Sequence, residues 1–120
     1  MSDNGEIFQI EKRMKTSTSI LIKLAAQVGA AKQVREYDSD RRKNLLAKHM
    51  VPYLKAGHSA AASETMARAD ARYETEFEAM AGQRETADIC IATWEAEHAK
   101  LDALRSLLSM QKETMKTLEG

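Results

Sequence analysis

Proline occurs once in this chain, at Pro52, and cysteine once, at Cys90. A single proline leaves long stretches with nothing to break a helical hydrogen-bond ladder. A single thiol can form neither an internal disulfide nor a two-thiol metal site, which suits a reducing, cytoplasmic setting. Aromatic residues are only 5% of the sequence, whereas Ala, Glu, Lys, Arg, Met and Leu dominate. That is a composition of helix formers, and strands are not expected. The glycines stand singly at Gly5, Gly29, Gly57, Gly82 and Gly120. No glycine-rich phosphate loop can be built from them, so nucleotide hydrolysis is excluded at the level of sequence. No apolar run approaches the roughly 20 residues that span a bilayer. The start, Met1-Ser2-Asp3-Asn4-Gly5-Glu6, lacks the basic and then apolar regions of a secretory signal, so secretion is disfavoured too.

Net charge is zero across the 120 residues, a length that suits one domain, but its distribution is uneven. Residues 1–60 carry eleven Lys and Arg against six Asp and Glu, and residues 61–120 carry seven against twelve. Between Arg41 and Ala62 lie five basic side chains (Arg41, Arg42, Lys43, Lys48 and Lys55) with His49 and His58, and no carboxylate. This stretch could serve a polyanion; equally, the two halves could fold back and neutralise each other.

Ile7, Ile10, Met14, Leu21, Leu24, Val28 and Ala31 recur at three- and four-residue steps, interrupted only by Ser17. The repeat is nearer 3.5 than 3.6 residues, so the stripe stays straight only against a partner helix. The polar run Tyr37-Asp38-Ser39-Asp40 admits two readings, a bend with Asp38 or Asp40 able to cap a new helix at Arg41, or a helix running straight through residue 38. Beyond it Leu45, Leu46, His49, Met50, Tyr53 and Leu54 keep the helical period. Pro52 should kink or end the helix, and Lys55-Ala56-Gly57-His58-Ser59 supplies a terminating glycine and then an N-cap. From Ala60 to Leu118 the chain predicts one long helix, or a short one followed by a long one. Tyr73, Met80, Ala87, Trp94, Leu101, Leu108 and Met115 are spaced at seven, with Phe77, Ile91, Leu104 and Leu118 widening the stripe.

The expected architecture is therefore all-α: a single domain over residues 1–120, with a helical arm at about 6–55, a turn at 56–60 and a long helix at 61–118. The arms form an antiparallel, coiled-coil-like hairpin. Such a hairpin is thin, so neighbouring copies are expected to cover its flanks. Tyr73, Phe77, Met80, Ile91, Trp94, Leu101 and Leu108 are the expected oligomer interface.

Little in the sequence points to catalysis, and no cofactor is expected. Glu95-Ala96-Glu97-His98 contains one Glu-x-x-His step, but a di-iron bundle needs a second step and further glutamates. His98 and Asp102 could pair on one face, yet Cys90 lies two turns away in an apolar setting that does not activate a thiol. The sharper candidate is the basic stretch. On a helix, Arg41, Lys48 and Lys55 align every seven residues, with Arg42 and Lys43 expected beside them and Leu45, Leu46 and Leu54 facing inward. Such a ladder can track a phosphate backbone while Tyr37 and Tyr53 stack on bases.

Arg41-Arg42-Lys43, Lys48, Tyr53 and Gly57, then a Ser/Ala-rich segment, then Trp94 followed by Leu101-Asp102-Ala103-Leu104-Arg105-Ser106, occur in an order that resembles the UvsY-type recombination mediator proteins of bacteriophages. The likeness covers roughly residues 20–110. The resemblance implies a homo-oligomeric ring of helical subunits that binds single-stranded DNA and helps load a recombinase onto strand coated by a single-strand binding protein. Carried over by position, Arg41, Arg42, Lys43, Lys48 and His49 would contact DNA. The chain departs from the type at Pro52 and at His49, where a stronger cation would be expected. A different class fits the charge separation equally well: a helical assembly factor, such as a phage-encoded inhibitor or structural adaptor, that holds another protein through Trp94 and its neighbours.

Overall fold

A computed structural model describes residues 3–119, so Met1, Ser2 and Gly120 of the expected single domain lie outside the described residues. The chain is all-α: 96% of the described residues are helical and none forms a strand. Helix α1 spans Asp3–Lys55, α2 Ala60–Ala69 and α3 Ala71–Glu119. Two compact units divide it: residues 1–29 with 90–120, and residues 30–89. Within each, a stretch of α1 runs antiparallel to a stretch of α3.

The helix ends follow from local chemistry. Pro52 does not end α1, because a proline this close to the C-terminus forfeits one bond of the last turn only, and the helix runs on to Lys55. It stops where Gly57 takes φ 92°, a left-handed conformation that side chains disfavour. Gly57 N–H then donates to Leu54 C=O at 3.1 Å and His58 N–H to Tyr53 C=O at 3.2 Å, the paired bonds of a Schellman terminus. Ser59 caps α2, its hydroxyl accepting from Ala62 N–H at 3.2 Å. Of the two readings open for residues 60–118, the short helix followed by a long one is found, with the break at Asp70.

Of the two readings open at residues 37–40, a bend or an uninterrupted helix, the second is found: α1 passes straight through. Asp38 neither caps nor bends a helix; it is buried on the inward face, seven residues after Ala31 and seven before Leu45, both buried. Ser17 likewise belongs to the seam rather than interrupting it. It is fully buried, and its hydroxyl donates to the Glu97 carbonyl at 3.4 Å. Side chains at seven-residue intervals share a helix face whatever their polarity, so both residues obey the period that their hydrophilicity conceals.

In the first unit, Ile10, Val28, Ile91, Leu101 and Leu104 are buried; in the second, Ala31, Leu45, Ala67, Tyr73 and Ala87. Several residues expected between copies are thus consumed inside one chain. Tyr73, Ile91 and Leu101 are buried by their own unit, while Phe77, Met80, Trp94 and Leu108 are half-buried. A hairpin partner covers more of the stripe than its width suggested, because its own seam residues interdigitate with it.

Candidate nucleic-acid interface

The second unit carries the basic stretch. Its α1 segment presents Arg41, Lys48 and Lys55 at intervals of seven along one exposed edge; Lys43, expected beside them, is exposed but lies about 200° round the helix from Arg41, on another side. Lys43 and Lys55 form no ion pair among the described residues. Arg41 Nη2 donates to Gln83 Oε1 at 3.1 Å, a neutral partner that leaves the charge uncompensated. Lys48 Nζ lies 3.5 Å from both oxygens of Glu76 while its side chain stays 67% exposed. A pair so exposed contributes little and is readily exchanged for another anion.

The other two candidates sit differently. His49 keeps only 10% of its side chain exposed; its Nε2 is 3.1 Å from Glu76 Oε2 and its ring meets Tyr73 edge-on. The bond from His49, seconded by Lys48, holds the Glu76 carboxyl below its ordinary range. Arg42 is half-buried, its guanidinium 5.2 Å from the centre of the Phe77 ring and its Nε 3.2 Å from Asp38 Oδ2. That approach is badly aligned, so Arg42 Nε is a buried donor without a hydrogen bond.

Arg42 belongs to a polar layer inside the unit. Arg84 Nη1 donates to Asp38 Oδ2 at 3.2 Å, and Arg84 Nε to both oxygens of Asp88 at 3.2 Å. Arg35 Nε donates to Asp88 Oδ1 at 3.1 Å. Partial desolvation works against the charge on Asp88, but hydrogen bonds from Arg35 and Arg84 outweigh it and the carboxyl titrates below its ordinary value. Sequence reasoning missed this layer. The signal was available, since Arg84 stands midway between Phe77 and Ile91 at seven-residue steps, as Asp38 does between Ala31 and Leu45. Part of the charge asymmetry between the halves is therefore absorbed by pairs between α1 and α3, and the exposed ladder is the remainder.

The aromatic residues divide as well. Tyr37 is 52% exposed and stands one turn before Arg41, whereas Tyr53 is half-buried and donates its hydroxyl to Asp70 Oδ2 at 3.3 Å. Leu45 and Leu46 turn inward as expected, but Leu54 is exposed. Asp70 also accepts the Arg72 backbone N–H at 2.8 Å and Arg72 Nη2 at 3.2 Å, so it caps α3. The Arg72 side chain first, then its N–H, lowers the Asp70 carboxyl to about 2.

In the first unit, His98 lies against Trp94 with ring centres 4.3 Å apart, and Asp102 pairs with Arg105 at 3.5 Å. Among the described residues, no group of three or more His, Cys, Asp or Glu side chains is placed to hold a metal. Cys90 is half-buried. No helix of the described residues is long and apolar enough to cross a membrane. Compared with family models, with curated proteins and with solved structures, the chain matches none.

Proposed function

We propose that this chain is a non-enzymatic, single-stranded-DNA-binding accessory protein of the recombination-mediator kind, acting in the cytoplasm as a homo-oligomer. One observation carries the reading: an uninterrupted helix presents Arg41, Lys48 and Lys55 at one-heptad intervals, all exposed. Such a row tracks a phosphate backbone without reading sequence, and Tyr37 stands where a base can stack. Arg42 and His49 drop out of the contacting set, since one packs on Phe77 and the other is bonded to Glu76. The recombinase and the single-strand binding protein come into the proposal through the resemblance to UvsY-type mediators. One subunit with three such cations binds weakly at physiological salt, and repetition of the row around an oligomer supplies avidity.

The test is fluorescence anisotropy with a labelled oligothymidylate over a salt series. Three phosphate contacts on a single strand give a slope of log K against log salt of about −2 per subunit. Arg41→Ala/Lys48→Ala/Lys55→Ala should flatten that slope and abolish binding in moderate salt, with helical circular dichroism unchanged. Binding that ignores salt, or a triple variant with wild-type affinity at low salt, overturns the reading. The rival, a protein-assembly factor, is favoured by a separate observation, the exposed Phe8, Ile22 and Met110 of the first unit.

A further inference from the structure

The first unit leaves an apolar trough open along α1. Phe8 is 63% exposed and Ile22 71%, although both are large and apolar. Between them runs a groove of about 550 Å³ whose apolar walls come from Met14, Ile22 and Leu108. A second hollow, of about 260 Å³, adjoins Phe8 and shares Glu11 and Lys15 with the first. From Phe8 to Ile22 the trough follows α1 for about 21 Å at 1.5 Å per residue, the span of four helical turns. A small molecule fills a concave site; an open trough of this length matches a peptide, read by apolar anchors spaced at i, i+3/i+4 and i+7.

The rim is charged with one predominant sign. Lys12, Lys15 and Lys23 edge the two hollows, against the single acid Glu11, and none of the three lysines forms an ion pair among the described residues. A second copy docking by a twofold axis would set this rim against itself, lysine facing lysine. An acidic occupant satisfies it.

We propose that this trough docks an acidic amphipathic segment of another protein, whose apolar side chains seat against Phe8, Met14, Ile22 and Leu108 while its carboxylates meet Lys12, Lys15 and Lys23. The site is in the other unit from the basic ladder and does not depend on the nucleic-acid reading. Apolar contact supplies affinity, and the lysines supply selectivity and steering.

The experiment selects a randomised 16-residue peptide library on the immobilised full chain, then measures the recovered peptides by anisotropy against wild type, Ile22→Ser and Lys15→Glu/Lys23→Glu. The substituted side chains are exposed, and circular dichroism checks that each variant stays helical. The expected result is a pool enriched in Asp and Glu with spaced apolar residues. It should bind each variant more than tenfold more weakly, and the charge-reversed variant should prefer the same peptides with Lys in place of Glu. No enrichment, a neutral or basic pool, or binding indifferent to both variants overturns the proposal. So does light scattering in which the wild-type chain self-associates and Ile22→Ser does not, which would assign the trough to a second copy.

Discussion

A glycine in a helix interior costs about 1 kcal/mol relative to alanine unless its missing side chain makes room for something. At Gly29 and Gly82 it makes room for nothing: a Cβ built at either position meets no atom within 4 Å. Gly29→Ala and Gly82→Ala should each raise the unfolding free energy by about 0.5–1 kcal/mol, additively because neither site touches a shared neighbour. Urea denaturation followed by circular dichroism measures this, and a loss of stability in either variant refutes it. Gly57 is the contrasting case, since its φ of 92° would strain any side chain. Sequence reading distinguished these glycines correctly by context, Gly57 after the last apolar step of one helix and Gly29 within a run. It fared worse with single polar residues on the seam. Ser17 and Asp38 occupy inward positions, where their hydrophilicity is a substitution within the period rather than a departure from it.

Among the elements, the junction of α2 and α3 depends on one carboxylate. Asp70 caps α3 and receives the Tyr53 hydroxyl from the last turns of α1. Its carboxyl is lowered from 3.8 to about 2 by Arg72 above all, so its charge favours the folded state wherever the unfolded chain would also be ionised. That contribution is complete above about pH 5 and is lost as pH falls through 4 towards 2. Asp70→Asn should therefore lower the urea midpoint at neutral pH, with the two curves converging near pH 2. A difference that persists undiminished in acid would show that the charge is not responsible. The turn at Gly57 and Ser59 was readable because capping chemistry is local. The break at Asp70 was left open because Ala69-Asp70-Ala71 contains neither glycine nor proline.

The polar layer makes a second claim at this scale. Asp38→Leu leaves Arg84 Nη1 without its acceptor and Arg42 without its counter-charge in a half-buried site and should cost about 2 kcal/mol, as should Arg84→Leu, which takes a donor from Asp38 and from Asp88. The double variant Asp38→Leu/Arg84→Leu replaces the pair with apolar groups on the seam and should recover most of that loss or exceed wild type. Denaturation of the three variants gives the coupling energy directly. Simple addition of the two single losses would mean the layer is not a unit. Its positive value is specificity: an apolar seam tolerates a slip of one heptad between α1 and α3, whereas a slip here would bring Asp38 opposite Phe77 or Ile91.

For the molecule as a whole, the helical class and the pairing of α1 with α3 inside each unit were readable because a seven-residue apolar repeat over α3 demands a partner helix and α1 carries the matching stripe. The division into two units was not, since it depends on how tightly each stretch of the hairpin packs. Charge told a mixed story. The excess of basic residues in one half and acidic residues in the other is partly spent on Arg35–Asp88 and Lys48–Glu76, so neither mutual neutralisation nor a free polycation describes it alone. What is left over lies in two places: the ladder on the second unit and the lysine rim on the first.

The partition of the aromatic residues between those units equips the protein with two colours. Trp94 is the only tryptophan and belongs to the first unit, while Tyr37, Tyr53 and Tyr73 are the only tyrosines and all belong to the second. Indole emission therefore watches the first unit, and phenol absorbance the second. If the chain melts in a single step, both signals share a midpoint; if the units melt separately, the wavelength that moves first names the less stable one.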